Sequence, residues 1–101
     1  MTEAAEKYFN RLYPDGEFKL ASTDPEFAER VEHFAFDEVV NEPGQQLDEV
    51  TRHMAILATL LGCQGTEVFR RELPQALDAG VTPVVAKEIV YQAVDYLGMG
   101  R

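Results

Sequence analysis

The sequence has one cysteine, Cys63, in 101 residues. A lone thiol makes no internal disulfide, and the spacing of Cys63, His33 and His53 matches no zinc pattern, so a disulfide scaffold and a structural metal are not expected. A reducing compartment fits. Long apolar runs are also missing: none approaches the ~18 residues of a membrane-spanning helix, and Met1-Thr2-Glu3-Ala4-Ala5-Glu6 lacks the basic and apolar regions of a signal peptide. The expected location is the cytoplasm. Positive charge is scarce, with 9 basic against 18 acidic residues, and residues 1–50 hold 13 of the acidic side chains but only 4 of the basic ones. Such a surface repels phosphate backbones, which argues against nucleic acid and anionic membrane as partners. Period-two alternation, internal repeats, a P-loop and a dinucleotide fingerprint are absent too, leaving an all-α class.

What is present suffices for one domain. An apolar fraction of 46% with 10% aromatics is ordinary for a globular protein, and a chain of this size buries roughly two-thirds of its unfolded surface. Ala5, Phe9 and Leu12 share one face of a predicted helix from about Thr2 to Tyr13, ended by the turn signal Pro14-Asp15-Gly16. Residues 14–22 read as connection. A second helix begins at Thr23-Asp24-Pro25-Glu26, with a cap, a first-turn proline and an acidic residue at the positive end. Its expected buried face is Phe27, Val31, Phe34, Ala35 and Val39, ending near Val40.

Residues 47–97 read as three successive helices. The first opens at Leu47-Asp48-Glu49, and from Met54 onward it is apolar on nearly every face, so it is expected to be buried centrally or at a subunit interface. Gly62-Cys63-Gln64-Gly65 interrupts it, the glycines being expected to take positive φ. The next helix runs from about Thr66 to Asp78, with Val68, Phe69, Leu73, Ala76 and Leu77 inward and a kink expected at Pro74. Ala79-Gly80-Val81-Thr82-Pro83 closes it and caps the last, whose Val85, Ile89, Ala93 and Tyr96 or Leu97 are expected to face inward.

Several elements stand in one order: Asp24-Pro25-Glu26-Phe27, Phe34-Ala35-Phe36-Asp37-Glu38-Val39, Pro43-Gly44, Thr51-Arg52, an apolar helix ending in Gly62-Cys63, Ala79-Gly80-Val81-Thr82-Pro83, and Gln92-Ala93 with Tyr96-Leu97-Gly98. Together they resemble the carboxymuconolactone decarboxylase family, which also contains alkylhydroperoxidase D-like proteins. The resemblance implies an alkylhydroperoxidase D-like helical bundle over residues 23–101, with 1–22 as an N-terminal amphipathic helix and connection. It implies a homo-oligomer, commonly a trimer or hexamer, a small organic acid as substrate, and no cofactor. It also implies a further helical stretch beyond the glycine turn where this sequence stops at Arg101.

The peroxidase branch of that family uses a C-x-x-C pair, one thiol attacking and the other resolving. Here the corresponding stretch is Cys63-Gln64-Gly65-Thr66, so the second thiol is missing. In the decarboxylase branch a histidine lies eight residues before the glycine of the G-V-T turn, where this chain has Glu72. The family's glutamate directly follows the arginine corresponding to Arg52, and that place holds His53. One acid/base group of each kind is kept, in exchanged positions.

Each candidate also has a plainer reading. His53 is either an ordinary helix histidine paired with Glu49 or a general base tuned near neutrality by burial and that carboxylate. Cys63 is either a small buried hydrophobe or a thiolate favoured by a helix start. Glu72 either pairs with an arginine at a neighbouring turn, or simply faces solvent, or moves a proton. Glu67 fits a first helical turn on electrostatic grounds alone, and His33, between Glu29 and Asp37, reads as a surface residue. By the resemblance, His53 or Glu72 moves the proton in a decarboxylation while Arg52 or Arg70 holds a carboxylate. The alternatives are a peroxidase or redox protein using Cys63 with an external thiol, and a non-enzymatic helical oligomer binding a small ligand or a protein.

Overall fold

The structure, a computed structural model, describes residues 3–14, 16 and 18–100. Helix α1 is Glu3–Leu12, α2 Lys19–Thr23, α3 Pro25–His33, α4 Glu49–Gly62, α5 Thr66–Ala79 and α6 Pro83–Leu97, with a π-helical segment Phe34–Glu38 after α3. Among the described residues there is no strand, and the all-α class holds. The expected helix start at Thr2 and the turn residue Asp15 lie outside the described residues. The chain divides into two compact units, Met1–Gln46 and Leu47–Arg101.

In the first unit, α1 buries Ala5 and Leu12. Its aromatic residues form a cluster: Tyr8 and Phe9 lie 5.2 and 5.5 Å from the Phe36 ring, and Phe18 is 5.3 Å from Phe9 and 5.1 Å from Tyr13. Residues 19–23, read from sequence as connection, form the short helix α2. The Asp24 side chain accepts the Phe27 N–H at 3.1 Å and Pro25 occupies the first turn, so α3 starts where its signals put it. Its expected buried face does not hold: Phe27, Phe34, Ala35 and Val39 are exposed, while Ala28 is buried and Phe36 half-buried. Phe27 is exposed within the regular part of α3; beyond it lies the π-helical segment, in which the Val39 N–H donates to the Phe34 carbonyl at 3.0 Å, five residues back. The wider turn rotates the following side chains off the 3.6-residue register and aims Phe36, instead of Phe34, at the α1 aromatics.

In the second unit, α4 packs on both α5 and α6. Leu57, Ala76, Val81 and Ala86 form the buried core, and Val50, Met54, Phe69, Leu73, Val85 and Ile89 pack around it. Asp48 caps α4 by accepting the Thr51 N–H at 2.7 Å, and Thr82 caps α6 through the Val85 N–H at 3.1 Å. Between α5 and α6, Gly80 takes φ +118° while the Val81 N–H reaches the Ala76 carbonyl at 3.0 Å and the Gly80 N–H the Leu77 carbonyl at 3.2 Å. These paired bonds satisfy the last carbonyls of α5 and tuck Val81 into the core.

Two expectations need correction here. At the α4–α5 break the positive φ, +60°, belongs to Gln64 and not to the glycines. Gly65 serves close approach instead: a Cβ there would lie 3.1 Å from the Leu60 side chain and 3.4 Å from the Cys63 Sγ. Helix α5 is continuous as an element through Pro74, which is exposed. Val68 and Leu77 are exposed, and of the pair Tyr96 or Leu97 it is Leu97 that is half-buried, Tyr96 being 91% exposed. Helix α4 is not enclosed within the single chain: His53 and Leu57 are buried, whereas Ala55, Ala58 and Thr59 are exposed.

Candidate functional site

The packing of α4 on α5 brings two ionisable side chains into the interior. Along α4, His53 and Leu57 are four residues apart and so project from one face, the face turned to the core. Along α5, Phe69, Leu73 and Ala76 set the inward direction and carry Glu72 with them. His53 is 2% exposed and Glu72 6%, and the His53 Nδ1 lies 4.0 Å from the Glu72 Oε2. That separation is ion-pair distance and longer than a hydrogen bond.

Burial pushes the His53 imidazole below its ordinary value; the neighbouring Arg52 guanidinium acts in the same direction, and the Glu49 carboxylate opposes both. His53 is therefore held neutral around pH 7, a base in waiting. The expected Glu49 influence is present as the smallest of these causes, and the carboxylate that faces His53 in the interior is Glu72.

Arg52, next along α4, is half-buried, and its Nε is shielded from solvent without a hydrogen-bond partner. A buried donor left unmade costs about 1–3 kcal/mol. Arg70 is different: it stands in solvent and pairs with Glu67 at 3.0 Å on its own helix.

Cys63 is exposed just beyond the C-terminal end of α4, its Sγ 3.7 Å from the Leu60 carbonyl. The ten residues of helix between His53 and Cys63 separate them by about 15 Å along the axis, so the thiol lies apart from the His53–Glu72 pair. His33 is a half-exposed surface residue, 3.2 Å from Glu38 and 3.6 Å from Asp37. Among the described residues no group of three His, Cys, Asp or Glu side chains is arranged to hold a metal ion.

Two polar residues of the interior were not singled out from sequence. Gln75 is buried one turn after Glu72, and Arg71, mostly covered, reaches the exposed Glu67 at 3.4 Å. The spacing of Glu72, Gln75 and Ala76 is itself the helical signal that places Gln75 on the inward side.

An apolar face around a buried histidine–carboxylate pair, among helices that are the only regular elements of the described residues, defines a helical protein with acid/base groups in its core. The chain matches the carboxymuconolactone decarboxylase family over residues 25–101 and belongs to that family, with its alkylhydroperoxidase D-like fold. No curated protein and no solved structure matches it. No helix among the described residues is long and apolar enough to cross a membrane.

Proposed function

We propose that this chain is a cytoplasmic carboxy-lyase acting on a small organic acid, with His53 and Glu72 as its proton-transfer pair and Arg52 as its carboxylate anchor. The observation that carries this reading is the buried His53–Glu72 pair beside an arginine whose Nε has no hydrogen-bond partner. Arg52 holds a carboxylate of the substrate by a charge-assisted hydrogen bond. His53, neutral at rest, takes up a proton from solvent as the substrate carboxylate binds, and Glu72 steadies the imidazolium so formed. When the bond to the leaving carboxylate breaks, its electron pair passes into a conjugated carbonyl of the substrate and carbon dioxide departs. The imidazolium then returns a proton to the carbon left electron-rich.

The same reading includes assembly into a homotrimer or homohexamer. Its support is α4, whose Ala55 and Ala58 are exposed and whose Ile56, Leu60 and Leu61 are only half covered in the single chain.

Carbon dioxide release from carboxymuconolactone, and from related small lactone and β-keto acids, tests the activity. Turnover above buffer is expected, falling by roughly 10²-fold or more in His53→Gln and Glu72→Gln. Arg52→Ala is expected to raise KM more than it lowers kcat. Cys63→Ser is expected to change neither, and loss of activity in that variant would favour thiol chemistry at Cys63. A second reading has its own support, because the near-complete burial of both His53 and Glu72 also suits a non-enzymatic helical oligomer stabilised by an internal polar contact. Wild-type turnover in both glutamine variants, with lowered melting temperatures, decides for it.

A further inference from the structure

We infer that the groove between α5 and α6 is a second binding site, taking a small apolar monocarboxylate whose charge rests on Lys87. The groove measures about 270 Å³ and is walled by Phe69, Leu73 and Leu77 of α5 and Pro83, Ala86 and Val90 of α6. Six of its seven lining residues are apolar, and the seventh is Lys87. This volume lies just under the ~300–1,000 Å³ of typical ligand pockets, which suits a compact ligand. The site is distinct from the His53–Glu72 pair, neither member of which lines it. It stands whether or not the lyase reading does.

The chemistry of the occupant follows from Lys87. Lys87 is exposed and lines the groove, and a lysine so placed can lay its methylene stem on the apolar wall with its ammonium in water. That ammonium makes no ion pair among the described residues and rests 5.6 Å from the centre of the Tyr91 ring. A cation held only by a ring face, at the edge of an apolar concavity, is complemented by one carboxylate attached to a hydrocarbon body. The body replaces water on Leu73, Leu77 and Val90, and the carboxylate stays at the rim. An amine of the same length puts like charge beside Lys87, and a polyanion brings more charge than one ammonium offsets.

Titration of the full chain with octanoate and benzoate, followed by amide and methyl chemical shifts, tests the proposal. Saturable shifts are expected at Leu73, Leu77 and Val90, with octanoate affinity falling roughly tenfold in Lys87→Met. Octanol is expected to bind the wild type and Lys87→Met alike, and octylamine to bind the wild type more weakly than octanoate does. Leu77→Trp, which fills the groove from a partly exposed position, is expected to abolish the shifts while leaving the melting temperature near wild type. Equal octanoate affinity in Lys87→Met overturns the inference. So does saturable binding only elsewhere in the chain, or failure of octanoate to bind together with a change of oligomeric state in Leu77→Trp, which assigns the groove to a second copy of the chain.

Discussion

The two units differ in how they are held. Met1–Gln46 carries 11 acidic against 4 basic side chains, buries only Ala5, Leu12 and Ala28 fully among its described hydrophobic residues, and relies on a cluster of tilted and stacked rings. Leu47–Arg101 carries 7 acidic against 5 basic side chains, places Leu57 and Val81 out of contact with solvent, and caps the starts of α4 and α6 with Asp48 and Thr82. The first therefore works against its own charge, and the second has little charge to work against. Buried ionisable chemistry belongs to the unit that has a core in which to bury it.

The largest expected effect separates the two directly. Leu57→Ala removes a side chain with 0% exposure from the centre of the second unit and is expected to cost about 3 kcal/mol in urea unfolding. Phe36→Ala, in the half-buried ring cluster of the first unit, is expected to cost about 2 kcal/mol. A larger loss for Phe36→Ala than for Leu57→Ala reverses the comparison.

Next comes the turn that closes α5. Gly80 stands at φ +118°, and a Cβ there would approach the Val50 Cγ2 at 3.1 Å. Gly80→Ala is expected to destabilise the second unit by about 2 kcal/mol, because both the backbone and the α4 contact must shift. Gly44→Ala in the first unit also meets a positive φ, +87°, but nothing lies within 4 Å of its Cβ. Its cost is expected to be the smaller, by thermal unfolding of the two variants side by side.

Much of this architecture is legible in the sequence, where the signals are local. Asp24-Pro25, Asp48, Gly80 and Thr82-Pro83 announce their helix ends because a cap is chemistry between residues a few positions apart. The π-helical segment at Phe34–Glu38 is not legible, since nothing in Phe34-Ala35-Phe36-Asp37-Glu38 itself departs from a 3.6-residue pattern; the first unit's ring packing is what accompanies the slip. Helix α2 hides for the opposite reason, five residues being too short for periodicity to register. At the site, His53 on the edge of a buried stripe is readable, but its meeting with Glu72 depends on how α4 lies on α5, and no spacing within one helix encodes that.

Acid sharpens the contrast further. The folded state holds His53 below its ordinary value, so below about pH 6.5 the unfolded chain binds the extra proton. Stability of the second unit is then expected to fall as pH drops through that value, by at most ~1.4 kcal/mol per pH unit, and to be flat above it. Glu32, in the first unit, shows the opposite sign: burial, helped by Glu29, raises its carboxyl, so the folded form binds a proton more readily. As pH falls toward 4.5, the ordinary value of a glutamate, Glu32 is expected to add stability to the first unit. Melting curves from pH 8 to 4.5 check this, and a slope that persists unchanged in His53→Gln removes His53 as its source.

The smallest effect concerns Arg70, the arginine that competes with Arg52 for the role of carboxylate anchor. Its bond to Glu67 lies between side chains that are 73% and 63% exposed, where water and salt screen the charges. Arg70→Ala is expected to change stability by less than about 0.5 kcal/mol, and to leave KM for any acid substrate unchanged. Arg52→Ala removes a side chain whose Nε is already buried and unmatched, so it relieves an unmet donor in the free protein while removing the anchor for the substrate. The expected signature is a neutral or slightly stabilised fold with a raised KM, set against an Arg70→Ala variant that shifts neither. A raised KM in Arg70→Ala with none in Arg52→Ala exchanges the two roles and moves the substrate's carboxylate to the solvent side of α5.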